Sequence, residues 1–223
     1  MSSAPVSRRA RPAKAPLSRD VIVETGLRIL DNDGLSALTM RRVAQELDTG
    51  AASLYVYVAN RDDLMAAMLD HVLGTVPEPA GGTWRERLGD LVASTVAAMS
   101  KHEGLALVAL GSIPTSPNAL LLVERMLTLL DEGGLDKRTN SWAVDLLYLH
   151  ITAQAAEQSA YNVGGREEND YVAEVQRHFA ELPADRYPML VGLREEMMSG
   201  NGDDREVWAL RVLINGILAT PAE

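Results

Sequence analysis

Apolar residues recur at spacings of three and four along almost the whole chain. Ile22, Leu27, Ile29 and Leu30 form one stripe, Val43, Ala44 and Leu47 a second, and Leu64, Met65, Met68, Leu69 and Val72 a third. That period places each set on one face of an α-helix. Ser18 precedes the first stripe and Thr39 the second, where a hydroxyl caps a helix start, and Gly34 stands where the first helix must stop. The pattern predicts helices over 19–32, 39–47 and 61–76. Beyond Thr83 it predicts only helices, over 83–101, 104–111, 117–132, 138–161, 167–181, 186–198 and 204–219, separated by breaks such as "SIPTSP", "EGG" and "NVGGRE". The expected fold class is all-α, with a small N-terminal head and a larger C-terminal helical body, joined through "PEPAGG".

One stretch departs from the helical period. "LYVYV", residues 54–58, alternates β-branched and aromatic residues as a strand would. It follows two short predicted helices divided by "DTG", with a small residue, Ala44, where their backbones approach; this is the pattern of a helix-turn-helix. In that arrangement Leu54 and Val58 are buried anchors, while Ala51, Ser53, Tyr55 and Tyr57 face outward. Strand propensity then yields to tertiary packing. The small residues Thr49, Gly50, Ala51 and Ala52 let the leading end of the second helix approach a phosphate or a base edge, and the tyrosines bring hydroxyls to phosphates.

A formal net charge of −10 argues against a nucleic-acid partner until its distribution is considered. Residues 1–76 balance nine basic against nine acidic side chains, and the remainder holds 12 against 22. Arg8, Arg9, Arg11, Lys14 and Arg19 all precede the first acid, Asp20. Residues 1–17 are too rich in Pro, Ala, Ser and Arg to pack, and are expected to be a disordered basic arm.

The absence of cysteine excludes disulfides, thiol catalysis and cysteine-ligated zinc. No apolar run approaches the roughly 18–20 residues that span a bilayer, and no signal-peptide core is present, so a cytoplasmic protein is expected. None of the four histidines, His71, His102, His150 and His178, stands three residues after a glutamate as a di-metal helical bundle requires. Nucleophile elbow, phosphate loop and dinucleotide fingerprint are also lacking. The reading is therefore no enzyme, no metal and no cofactor. His102, near a helix end, is expected to cap it.

"LSRDVIVETGLRILDNDGLSALTMRRVAQELDTGAASLYVYVANRDDLMAAML" resembles the DNA-binding domain of the TetR family of transcriptional regulators, on "LTMRRVAQEL", "LYVYVANRDDL" and Gly34 in matching order and spacing. By that resemblance Thr39, Arg41, Tyr55, Tyr57 and Arg61 meet the DNA backbone or bases, and Thr49, Gly50, Ala51 and Ser53 form the edge that reads the groove. One departure is visible: Asp48 takes the turn position usually given to glycine. Aspartate tolerates the left-handed conformation better than most residues.

The body resembles the tetracycline-repressor type of C-terminal domain, on "TWRERLGDLV", "ALGSIP", "MLTLLDEGGLD" and "LRVLINGILA". The resemblance implies a four-helix dimer interface and a cavity for a small effector in each body. Trp142, Leu146, Leu149, Ala153, Ala156 and Ala160 follow spacings of four and three as one stripe, and Leu210, Leu213, Ile214 and Ile217 offer a second, beside Val207 and Leu218. Both stripes fit an intramolecular core as well as a dimer; the dimer is expected because paired heads bind two half-sites. His150, Gln154, Glu157 and Tyr161 make a polar line beside the first stripe, open between effector binding and a solvated face. Where the tetracycline repressor presents its metal-coordinating histidine this chain has Ala109, and for a pocket asparagine and glutamine it has Leu91 and Arg125, so magnesium-tetracycline is a poor candidate. Leu91, Thr95, Met99, Leu110, Ile113 and Met126 around the implied cavity suit a mostly apolar organic effector.

The expectation is a homodimeric repressor that binds a palindromic operator in double-stranded DNA and is released by a small molecule. Residues 18–76 would form the DNA-binding domain and 83–223 the ligand-binding and dimerisation domain. The alternative is an architectural or activating DNA-binding protein that needs no effector.

Overall fold

The computed structural model describes residues 16–164, 168–200 and 202–222, so the expected basic arm lies outside them except for its last two residues. The described residues form helices α1 (Arg19–Asp33), α2 (Met40–Glu46), α3 (Ala51–Leu54), α4 (Arg61–Leu73), α5 (Trp84–Ser100), α6 (Leu105–Leu110), α7 (Pro117–Glu132), α8 (Lys137–Gly164), α9 (Glu168–Ala180), α10 (Pro188–Gly192), α11 (Arg194–Met197) and α12 (Gly202–Ala219), with no strand among them. None is long and apolar enough to cross a membrane.

The starts are fixed by side-chain caps. Ser18 Oγ accepts from the Val21 amide at 3.2 Å, Thr39 Oγ1 from Arg42 at 3.1 Å, and Asn60 Oδ1 from Asp63 at 2.8 Å. Thr83 and Glu86 close a reciprocal capping box on α5. At the head of α8, Asp136 accepts from the Thr139 hydroxyl and from the Thr139 and Arg138 amides, which holds its carboxyl below the usual carboxylate range. The caps made by Ser18, Thr39 and Asn60 are each worth about 1 kcal/mol to their helix.

α8 runs to Gly164, past its expected end at 161, and two other expected extents change. The helix predicted over 186–198 is broken into α10 and α11 at Leu193, directly after Gly192, a residue whose backbone freedom weakens a helix interior. The helix predicted over 61–76 ends at Leu73, where the Thr75 hydroxyl donates to the Val72 carbonyl at 2.7 Å and closes the last turn.

α4 joins the two ends of the molecule. It packs on α1 on one side and on α5, α6 and α7 on the other, and its Leu64, Met68 and Val72 belong to one cluster of buried side chains running from Ile22 to Ile217. α5, α6 and α7 gather around α8, and α12 lies along α5 and α8. Polar ties tighten these seams: Asp70 on α4 accepts from the Asn118 amide at the start of α7 at 2.8 Å, and the Gln158 amide on α8 donates to Glu206 on α12 at 3.1 Å.

Candidate nucleic-acid interface and effector site

The strand-like "LYVYV" starts on the last residue of α3 and continues as a turn. α3 ends at Leu54, and the amides of Tyr57 and Val58 both return to the Leu54 carbonyl, at 2.9 and 3.0 Å. Leu54 and Val58 are buried against the core, while Tyr55, Val56 and Tyr57 stand out of it, Val56 being 81 % exposed. The tyrosines therefore sit on the turn after the recognition helix and not along it. Val56 was not singled out from the sequence; the most exposed of the three, it lies between two residues that were, and only the early end of α3 marks it as outward.

The turn before α3 is made by Asp48, whose φ of 47° is the one positive value among the described non-glycine residues. The Thr49 amide then reaches the Ala44 carbonyl at 2.9 Å and aims α3 away from α2. Gly50 caps α3 at φ −79°, a conformation open to any residue, and a Cβ added there meets nothing within 4 Å. Nothing among the described residues needs that position to be small. Ser53 is exposed, and Thr49 and Ala51 are half-buried beside it, so Thr49, Gly50, Ala51 and Ser53 come together on one edge.

Thr39 is exposed and its hydroxyl caps α2. Arg41 is exposed with no hydrogen bond or ion pair among the described residues, whereas Arg42 pairs with Asp33 and Glu46. Arg61 is engaged within the head. Its Nε donates to the Leu38 carbonyl at 2.8 Å and its Nη2 to that of Leu35 at 2.9 Å. Two of its nitrogens hold the loop between α1 and α2.

In the body, the sequence-derived effector set divides. Leu91, Thr95, Met99, Ala109 and Met126 are wholly enclosed among packed neighbours, and the Thr95 hydroxyl turns back to the Leu91 carbonyl at 2.7 Å. Leu110 and Ile113 lie outside: α6 is short, its inner face is taken by Leu105, Ala106 and Ala109, and Leu110 and the turn after it are exposed. The Arg125 guanidinium pairs with Glu78 at 2.5 Å and donates to the Val76 carbonyl, pinning the linker after α4. Gln154 and His150 are half-buried on the flank of α8. His150 Nε2 is buried without a hydrogen-bond partner among the described residues, and desolvation pushes its imidazole below the ordinary value of 6.5.

The α8 stripe is exposed in the single chain: Trp142, at 63 %, Leu146, Leu149, Ala153 and Ala160 face outward, with Ala156 half-buried. On α12 the expected stripe divides. Leu210, Ile214 and Ile217 are buried within their own chain and Leu213 is half-buried, while Val207, Trp208 and Val212 are exposed. Packing against α5 and α8 takes much of the stripe read from helical periodicity, and Trp208 and Val212, outside that stripe, stay exposed.

Comparison with known proteins agrees with this geometry. Residues 22–68 match the bacterial regulatory proteins of the tetR family, and residues 76–220 match the tetracyclin repressor-like C-terminal domain. The chain is 30% identical over 218 residues to the HTH-type transcriptional repressor DrrR1 of Streptomyces coeruleorubidus, across 93% of this chain and 80% of that one. It is 28% identical over 216 residues to the tetracycline repressor protein class D of Escherichia coli, across 91% and 89%. The crystal structure of ActR from Streptomyces coelicolor in complex with actinorhodin superposes with a TM-score of 0.82 at 40% identity, covering 94% of this chain and 99% of ActR. The chain belongs to the tetR family of bacterial regulatory proteins, DNA-binding transcriptional regulators built on a helix-turn-helix head.

Proposed function

We propose that this regulator is a homodimeric repressor whose two heads bind half-sites of a palindromic operator and which a mostly apolar organic effector releases. The observation that carries the DNA reading is Gly50: a small residue, unneeded by fold or backbone, at the leading edge of an outward-facing recognition helix. Gly50, Ala51 and Ser53 meet base edges, Val56 meets a thymine methyl, and Tyr55, Tyr57 and Arg41 meet phosphates. Residues 18–76 act as the DNA-binding head, and α4 carries it on the body.

The dimer forms through the outward stripe of α8 together with Trp208 and Val212 of α12. Such a contiguous apolar surface is unusual on a monomer and marks an interaction site. Pairing two heads on one rigid interface gives the second half-site contact the advantage of an intramolecular event.

The effector enters the body from the flank of α8. His150, neutral and with an orphaned Nε2, is its polar anchor, because a buried ring nitrogen without a partner gains a hydrogen bond when a hydroxyl or phenol reaches it. Met99 and Met126, unbranched and packed inside, are the side chains best able to move aside for an apolar ring system. ActR, whose structure holds actinorhodin, supplies the first probe.

Selection of fragments from the source genome with purified protein, at a stated near-physiological salt concentration, tests the reading. Recovery of a palindromic site supports the repressor, and loss of that complex on adding actinorhodin or a related polycyclic compound supports the effector class. Binding that stays non-specific and salt-sensitive would count against a sequence-reading head.

A further inference from the structure

The turn between α5 and α6 grips the head through two neighbouring side chains. Glu103 Oε2 accepts from the Leu35 amide at 2.7 Å, and His102 Nδ1 lies 2.7 Å from Asp31 Oδ1 on the last part of α1. The seam interlocks sterically as well. Gly104, at φ 78°, opens α6, and a Cβ on it would stand 3.0 Å from Leu35 Cδ2; Gly34, at φ 79°, lies where a Cβ would stand 3.2 Å from Glu103 Oε2. Each side thus uses a left-handed glycine to admit the other side's side chain.

The residue so held is itself held from behind. The Leu35 amide goes to the body and its carbonyl to Arg61 of α4, which also takes the carbonyl of Leu38, the residue just before the cap of α2. A hydrogen bond accepted by a carboxylate is stronger and shorter than a neutral one, and each of the two grips ends on a carboxylate. From α6 a continuous path runs through Glu103, Leu35 and Leu38 to α2 and on to α3.

We propose that Glu103 and His102 are positioning residues that set the orientation of the head on the body, and that movement of the α5–α6 turn on effector binding reaches the recognition helix through the Leu35 peptide. This rests on the ligand-responsive reading above. A ligand in the body acts on DNA affinity only by favouring one of two arrangements, and the latch is the element whose state distinguishes them.

The chain has no cysteine, so spin labels at Gln45→Cys on α2 and Asp131→Cys on α7, diluted with unlabelled chain, read the head-to-body distance within one protomer without DNA or effector. Glu103→Ala should broaden that distribution and lower operator affinity about five-fold or more, while circular dichroism still shows the folded helical content. Glu103→Gln, whose amide oxygen still accepts from Leu35, should restore most of both, a rescue that a general loss of stability would not give. If Glu103→Ala fails to fold, His102→Ala removes the second grip and is read the same way. An unchanged width in a folded Glu103→Ala protein overturns the latch. A broadened width with unchanged operator affinity overturns its part in regulation. Failure of the functional reading itself appears in the parent protein, as the lack of any operator, and leaves the distance measurement to judge the latch alone.

Discussion

Arg61, at the start of α4, donates from Nη2 to the carbonyl of Leu35 at 2.9 Å, tying the fourth helix of the chain to the loop after the first. Together with its bond to Leu38, this contact holds the entry to α2 in place while α3 projects beyond it. The side chain is largely exposed, so solvent competes for both bonds. Arg61→Ala should cost about 1 kcal/mol of stability, a fall of a few degrees in melting temperature, and weaken binding to every DNA sequence alike. Unchanged melting with lost affinity would return Arg61 to direct DNA contact.

Gly50 separates interface from fold. A Cβ there meets nothing, so Gly50→Val should leave melting within about 0.5 kcal/mol of the parent, as surface substitutions do, yet reduce operator affinity at least about tenfold by blocking close approach. Equal loss of stability and affinity would mean that the edge is structural.

Val56 should carry sequence preference and Tyr55 should not. Replacing Val56 by Ser removes an apolar contact to a thymine methyl and should lower discrimination at one position of each half-site by about 1 kcal/mol. Tyr55→Phe removes only a phosphate contact and should weaken all sites together. A uniform loss from Val56→Ser in a binding-site selection would move the reading edge back to Ala51 and Ser53 alone.

The dimer surface yields opposite outcomes for neighbouring residues. Leu149→Arg and Trp208→Ser, on exposed faces, should shift sedimentation from dimer toward monomer and leave helical content intact. Leu210→Ala and Ile214→Ala, on the buried face of α12, should instead cost roughly 2–4 kcal/mol of stability. Dimers that persist in both exposed-face variants would refute the α8–α12 interface.

His150 gives the body a pH dependence. Burial lowers its imidazole below the ordinary 6.5, so below that value the unfolded chain binds a proton that the folded chain refuses. The native contribution is complete above about pH 6.5, falls as the pH drops below it, and levels off once the folded value has been passed. His150→Gln should flatten the change in melting temperature between about pH 7 and 5 and weaken effector-induced release at neutral pH. A parent protein whose melting over that range matches His150→Gln would show that the ring is solvated.

Much of the head could be read from residue type alone. Ser18, Thr39 and Gly34 bound their helices for local reasons of hydrogen bonding and backbone freedom, and Asp48 takes the left-handed turn its side chain tolerates. Leu54 and Val58, four apart, are buried whether the residues between them are helix or bend. The extent of α3 was another matter, since β-branched and aromatic residues compete locally with helix, and the chain leaves the helix at Leu54 and reaches its second anchor, Val58, through a turn.

The body shows the limit from the other side. Periodicity identifies apolar faces, because side chains three and four apart share a side of a helix, but it does not say which neighbour covers them. On α12 that was settled only by α5 and α8, which buried Leu210 and Ile214 and left Trp208 outside. Arg125 and Arg61 carry the same charge in any sequence reading, and their carbonyl and carboxylate partners lie 23 to 49 residues away. His102, expected to cap a helix, pairs instead with Asp31, 71 residues earlier. Sequence determined the helices, their caps and the outward edge of the head, which follow from short-range backbone chemistry. Tertiary structure decided which faces meet and which charges hold the head to the body, because contacts between residues far apart in the chain exist only once the helices have packed.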